Sequence, residues 1–456
     1  MPASHFRPEG VIPAVLLPFC EDLSIDAAAF RRHLQDVAGV DGVTAITLNA
    51  HSSEVASCTF DEQREVLALA RDTLGDGMPI VNGVYADGSL EAQRIARMAA
   101  EGGASALLVF PPNVFRYGNT PPMAVEHFRR IADATDLPLI AFQYPLTGGQ
   151  GYPLSTLLKI IDAVPTVVAI KDGCANPELH ELHIRTLQSL PRRVSVLSTH
   201  SSWLYSSLVM GCDGLLSGSG SVIADLHAQL FRAVKSRDMA AAESLNTRIR
   251  ATSTVFYADP RTDMHNRMKE ALVMQGKLDC AAVRPPLVKL GAEELRRIRQ
   301  GMQAAGLLPA GQALLTVWGF EVYQARLWVA PGFRAAEPAA TPLLLELDYR
   351  RDFRGADIAR RSLQEMQRLA PLEPARAARW ERRLAEVLPD VRAGDRLSGW
   401  HRPEQGVRFL RGDGGLLGEV EDPAFSRLFF GIWLDPRTPE PALRQRLLGP
   451  FAEPRA

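Results

Sequence analysis

Between Val11 and Lys235, eight short, continuously apolar runs alternate with segments that read as helices. The runs are Val11–Phe19, Val43–Leu48, Pro79–Tyr85, Ala104–Phe110, Pro138–Tyr144, Thr166–Ile170, Arg193–Ser198 and Gly214–Ser217. A short run without polar alternation has no solvent face, so each reads as a strand buried on both sides. The segments between them, such as those opening at Asp61 and Leu90, space apolar residues at helical intervals. Asp61 and Ser89 are the candidate N-caps there. Eight strand-then-helix units in succession fit a closed (β/α)8 TIM barrel better than an open sheet. Three further helical stretches, near 237–257, 262–275 and 291–305, follow as C-terminal helices.

Composition changes farther along. Five of the six tryptophans fall at or after Trp318, and no lysine follows Lys289. The stretch Gly306–Gln312 reads as a helix stop followed by a turn. The expected organisation is therefore a barrel over residues 1–310 and a smaller α+β domain over 311–456. In the latter, Leu343–Tyr349 alternates in part like a one-sided strand, and 356–369 is an amphipathic helix. Strands near 406–410 and 416–420 flank a Gly-Asp-Gly-Gly turn.

A net charge of −1 gives no electrostatic reason for a nucleic acid or membrane partner. No run approaches the roughly 20 apolar residues of a membrane span. The first residues lack the basic-then-apolar pattern of a signal peptide, so a cytoplasmic location is expected. Five scattered cysteines without a CxxC pair argue against a zinc site and a disulfide framework.

Lysine is scarce. Lys159, Lys235, Lys269, Lys277 and Lys289 sit in helix-like or amphipathic contexts where a solvated amine is expected. Lys171 instead ends the sixth apolar run, at the mouth of the expected barrel, where active sites of this fold lie. An amine held among apolar walls loses its proton near pH 7 and can attack a ketone to form an imine. The alternative is a lysine that snorkels over the rim or pairs with Asp172. Both readings stand on the residues alone.

From about residue 8 to residue 307, the chain resembles the dihydrodipicolinate synthase/N-acetylneuraminate lyase family. The resemblance rests on Gly10-Val-Ile-Pro-Ala-Val-Leu-Leu-Pro-Phe19, Glu54 with its preceding hydroxyl residues, Pro138–Pro145, Ile170-Lys-Asp172 and Arg284-Pro-Pro-Leu287. It implies that Lys171 is the Schiff-base lysine and that the substrate is a small 2-keto acid such as pyruvate. It also implies a homodimer or homotetramer, with no metal and no organic cofactor. The family's Gly-Thr-Thr-Gly-Glu loop corresponds to Ala50-His51-Ser52-Ser53-Glu54. Ser52, with His51, Ser53 and, from the eighth run, Leu216, is then expected to bind substrate, while Glu54 anchors the loop. Asn82–Tyr85 is expected to shape the pocket floor.

Departures from the family pattern fall in the fifth run, just after it, and after the fourth. Phe142 occupies the position of the family's proton-shuttling tyrosine. Tyr144 lies two residues on, which in a strand is the same face, and it or His51 is the candidate relay. Leu146-Thr147-Gly148 replaces the arginine that binds a second carboxylate in the lysine-pathway synthases, and Pro112 or Asn113 replaces a tyrosine. A different, more apolar or less anionic aldehyde is expected.

Residues from about 312 to 450 resemble bacterial chalcone-isomerase-like domains, through 320–328, 345–349, 361–366, 389–397 and 430–437. The plant enzyme's catalytic arginine has no counterpart before Gly319, so isomerase activity is not expected. The tryptophans with Phe429 and Phe430 form either a ligand cleft or plain core, and Arg326, Asp435 and Arg437 either contact ligand or form ion pairs. The expected function is a class I aldolase or hydro-lyase. Its rival is a catalytically silent barrel acting as ligand sensor or scaffold, with apolar-ligand binding by the C-terminal domain.

Overall fold

The computed structural model describes residues 6–452 except His200 and Pro331. It divides into two compact units, Met1–Ile298 and Arg299–Ala456.

In the first unit the strands are β1 (Gly10–Val11), β2 (Ile46–Leu48), β3 (Ile80–Val84), β4 (Ala106–Val109), β5 (Leu139–Gln143), β6 (Val167–Asp172), β7 (Ser195–Ser198) and β8 (Gly214–Leu215). Each is followed by its helix: α1 (Ala27–Ala38), α2 (Phe60–Leu74), α3 (Ser89–Glu101), α4 (Pro121–Ala132), α5 (Leu154–Ala163), α6 (Pro177–Gln188), α7 (Leu204–Met210) and α8 (Gly220–Lys235). All neighbouring strands pair in parallel in the order β1-β8-β7-β6-β5-β4-β3-β2. Parallel bridges Val11–Val43 and Ala14–Thr47 join the first strand region to the second and close the TIM barrel. The regular strand β1 is short, and the first apolar run continues past it in isolated pairing, with the Ile12 and Val15 amides donating to the Leu215 and Thr47 carbonyls at 2.8 and 2.9 Å.

The barrel interior is filled, not hollow. Ile12, Ala14, Val81, Leu108, Ile140, Ala169, Leu197 and Leu216, among others, form one buried cluster, the stacked layers that close such a barrel. Gly83 is required by the close approach of two strands: a Cβ there would lie 1.9 Å from the Asn49 carbonyl oxygen. Asn49 and Asn82 join beside it through Asn49 Nδ2 to Asn82 Oδ1 at 2.8 Å.

Two expected N-caps are corrected. Thr59, not Asp61, caps α2, in a reciprocal capping box with Glu62 that contributes about 1 kcal/mol. Gly88, not Ser89, precedes α3, and the Ser89 hydroxyl instead bonds His127 Nδ1 at 3.0 Å. Three helices follow the barrel, α9 (Met239–Phe256), α10 (Met264–Met274) and α11 (Ala292–Ala304). The division between units falls inside α11.

The second unit is an antiparallel sheet in which each strand pairs with the next: β9 (Gly311–Val317), β10 (Phe320–Val329), β11 (Leu343–Tyr349), β12 (Arg396–Arg402), β13 (Gly406–Arg411) and β14 (Leu416–Val420). Its helices are α12 (Gly355–Leu369), α13 (Pro374–Val387), α14 (Pro423–Leu434) and α15 (Pro441–Leu448). Alternate strand residues, among them Ala325, Leu327, Leu345, Val407 and Phe409, share one core cluster with Met366, Leu384, Phe425 and Leu447 of the helices. Trp380, Trp433, Phe429 and Phe430 belong to that core, whereas Trp318 is exposed. Arg326 bonds Asp348 at 2.7 Å, and Arg437 bonds Asp435 at 2.8 Å, so these arginines form ion pairs.

Candidate active site

Alternation along β6 decides what its last two residues do. Ala169 and Lys171 project inward, and Asp172 projects outward toward α6. Asp172 accepts from His180 Nδ1 at 2.8 Å, His183 Nδ1 at 2.7 Å and the Cys174 amide at 3.0 Å. Burial pushes its carboxyl up, but those hydrogen bonds outweigh it and leave Asp172 below the usual carboxylate range. Asp172 is therefore committed away from Lys171. Asp172, Cys174 and His183 also form a buried group whose metal-ligating atoms lie within 4.8 Å of one another. As it stands the group is a hydrogen-bond hub behind the strand.

Lys171 is 5% exposed, and burial holds its amine down at about 7. No carboxylate lies within ion-pairing distance of it among the described residues. Its Nζ sits 4.1 Å from the centre of the Phe142 ring, the residue opposite it across the β5–β6 ladder. Phe142 packs edge-on against Phe110 and Tyr144, with ring centres 5.2 and 4.6 Å away. Tyr144 Oη and His51 Nε2 share a hydrogen bond of 2.5 Å. Burial, with the neighbouring Lys171 and His265 acting in the same direction, pushes the His51 imidazole down to about 3, so it is neutral. Burial pushes the Tyr144 phenol up, so it keeps its proton.

Lys171, Phe142, Tyr144 and His51 line a cavity of about 350 Å³ with Ser52, Pro145, Gly173, Thr199, Ser201, Ser202, Gly218, Tyr257, Arg261 and Met264. Gly218 has a local reason to be glycine, because a Cβ would meet Ser52 Oγ at 2.5 Å. Of the residues singled out from the sequence, Lys171, Phe142, Tyr144, Ser52 and His51 come together on this wall. Ser53 and Leu216 do not line it. Ser53 Oγ donates to the Val15 carbonyl at 2.9 Å, and Leu216 is fully buried in the interior cluster.

Glu54 anchors the loop: it accepts from Lys269 Nζ at 2.5 Å and from the Arg284 amide at 3.0 Å. Lys269 is thus fully buried, a correction to its expected solvated amine. A helical lysine can face inward when a buried carboxylate meets it. The other lysines expected in solvent are exposed. Tyr85, in the expected pocket floor, accepts from Asn113 Nδ2 at 2.7 Å and packs edge-on to His51 and Phe110.

Sequence reading missed Tyr257, Arg261, Met264, Thr199, Ser201 and Ser202. The first three follow or open helices beyond the barrel, far in sequence from the strand ends, and no short motif marks them. Tyr257 Oη accepts from the Ser219 amide at 3.0 Å, which fixes its ring on the wall.

Residues 7–305 match the model of the dihydrodipicolinate synthetase family. The chain belongs to this family. Family members are class I, Schiff-base-forming aldolases acting on pyruvate, and the protein is a lyase of this family. The chain is similar to the 4-hydroxy-tetrahydrodipicolinate synthase of Kineococcus radiotolerans, 29% identical over 315 residues, covering 68% of this chain and 97% of that one. The synthase of Chlorobium phaeobacteroides is 27% identical over 304 residues, covering 66% and 97%. Among solved structures, a dihydrodipicolinic acid synthase family prophage protein of E. coli, in complex with pyruvate, shares the fold with a TM-score of 0.62. It is 21% identical and covers 66% of this chain and 99% of its own. Dihydrodipicolinate synthase of Aquifex aeolicus gives 0.60 at 22% identity, over 66% and 98%. No helix among the described residues is long and apolar enough to cross a membrane.

Proposed function

We propose that the protein is a class I aldolase or hydro-lyase in which Lys171 forms an imine with pyruvate or a similar small 2-keto acid. The observation that carries this reading is a buried amine held at about 7, with no paired carboxylate among the described residues, on the wall of a 350 Å³ cavity. The neutral amine adds to the keto carbon, and the carbinolamine loses water to give the imine. Loss of a proton from the neighbouring carbon gives an enamine, which adds to an aldehyde carbon; hydrolysis then frees the product and the amine. The reverse sequence cleaves the same bond.

Proton transfer at the carbinolamine falls to Tyr144 in this reading. Its phenol supplies a proton to the departing hydroxyl, and the Nε2–H tautomer of His51 stabilises the phenolate. Phe142 has no proton to give and forms part of the apolar wall that keeps water from the amine, whose neutral form is favoured by burial. Ser52, through its hydroxyl and loop amide, is assigned to the keto-acid carboxylate.

The acceptor is proposed to differ from that of the lysine-pathway synthase. Support comes from Phe142 at the tyrosine position and from Leu146-Thr147-Gly148, which offers no cation after β5. For the second unit, the chalcone-isomerase-like reading is retained as a proposal, supported by the antiparallel sheet with helices packed on one face.

The test is incubation with pyruvate and borohydride followed by peptide mass spectrometry. An adduct confined to Lys171, and absent in Lys171→Ala, is expected. No adduct with pyruvate or with longer 2-keto acids would overturn the assignment of imine chemistry on a small 2-keto acid to Lys171.

A further inference from the structure

We propose that Arg261 is a specificity residue that receives a carboxylate or phosphate at the far end of the acceptor aldehyde. This rests on the aldolase reading and names the class of its second substrate. Arg261 lines the same cavity as Lys171 and is exposed. Its guanidinium has no carboxylate within ion-pairing distance among the described residues, although Asp259 and Asp263 lie two positions away on either side. By contrast, the nearby Arg267 and Arg284 are both paired, to Glu294 and Glu62.

The loop that carries Arg261 is built to stay in place. Arg267, 2% exposed, reaches from α10 and donates to the carbonyls of Phe256, Ala258, Asp259 and Pro260 at 3.4, 2.6, 3.3 and 3.2 Å. One buried guanidinium thereby clamps the residues between Tyr257 and Arg261. A binding group on such a clamped loop loses less freedom when a ligand engages it.

Charge around the cavity argues for the same occupant. No aspartate or glutamate is among its lining residues, whereas Lys171 and Arg261 are. A planar guanidinium matches a carboxylate or phosphate with paired hydrogen bonds. An ammonium on the acceptor finds no anionic partner on that wall. The occupant is therefore an anionic aldehyde without an amino group. The expected apolar or less anionic acceptor is replaced by this reading, because the cation comes from the loop before α10 and not from the segment after β5.

The experiment compares matched acceptors in the presence of pyruvate: succinic semialdehyde against butyraldehyde, and glyceraldehyde 3-phosphate against glyceraldehyde. The anionic member of at least one pair is expected to have a kcat/KM at least tenfold higher, and which pair responds separates carboxylate from phosphate recognition. Arg261→Ala should abolish the preference mainly by raising KM, and Arg261→Lys should keep part of it. Equal use of neutral and anionic members, no use of either anionic aldehyde, or an undiminished preference in Arg261→Ala would each overturn the proposal. Failure of the aldolase reading is distinct: unmodified enzyme would then show no pyruvate trapped on Lys171.

Discussion

His51 and Tyr144, 93 residues apart in sequence, meet through a single hydrogen bond of 2.5 Å between Nε2 and Oη at the cavity wall. The imidazole is neutral and the phenol keeps its proton, so the pair can pass a proton without either member starting charged. Tyr144→Phe is expected to slow trapping of pyruvate by roughly 100-fold, the lower end of what positioned acid catalysis contributes. His51→Phe should slow it less, since the phenol remains. Trapping rates by mass spectrometry check both; an unaffected Tyr144→Phe would move the relay to water.

The pH profile of imine formation should report Lys171 directly. With the amine held at about 7, the initial trapping rate should rise from pH 6 to pH 8 and then level. An ordinary lysine would continue to gain through pH 10. A rate still climbing tenfold per unit between pH 8 and 9 would contradict the buried, neutral amine.

The same lowered value has a cost in stability. Unfolded, Lys171 binds its proton up to about pH 10.4, whereas folded it releases it near 7. Between those limits the unfolded chain binds more protons, so this group makes folding less favourable as pH falls from 10 toward 7. Lys171→Met should therefore stabilise the protein at pH 8, by on the order of 2 kcal/mol, while abolishing trapping. Urea denaturation of both proteins at pH 8 and pH 10 is the check, and the gain should shrink at the higher pH.

Glu54 and Lys269 form a buried ion pair at 2.5 Å, with side chains 2% and 0% exposed. Removing one partner strands the other. Glu54→Gln is expected to destabilise the first unit by about 3 kcal/mol and to loosen the His51–Ser53 turn beside it. The double variant Glu54→Gln, Lys269→Met should recover most of that loss. A double variant as unstable as the single one would show that the carboxylate's bond to the Arg284 amide matters more than the pair.

Much of this protein was legible in one dimension. The eight apolar runs located every barrel strand, because a strand buried on both faces must be apolar throughout. Lys171 stood out for a similar reason: an amine at the end of such a run has no obvious route to water. Thr59 was passed over although Thr59-Phe-Asp-Glu62 has the capping-box spacing, and Gly88 was missed because it precedes α3 without any side-chain cap. Lys269 was misread because helical periodicity gives the inward face of a helix without saying that a carboxylate waits there.

The amino-acid order thus determined the strand–helix alternation, the lone lysine at a strand end and the absence of a phenol at Phe142. Tertiary structure decided the rest of the site. It turned Asp172 away to His180 and His183, paired Tyr144 with His51, and brought Tyr257 and Arg261 onto the wall from beyond the barrel. The physical reason is that burial and periodicity act within a segment, whereas ion pairs and cavity walls form between segments whose meeting only closure of the barrel and packing of the later helices can fix.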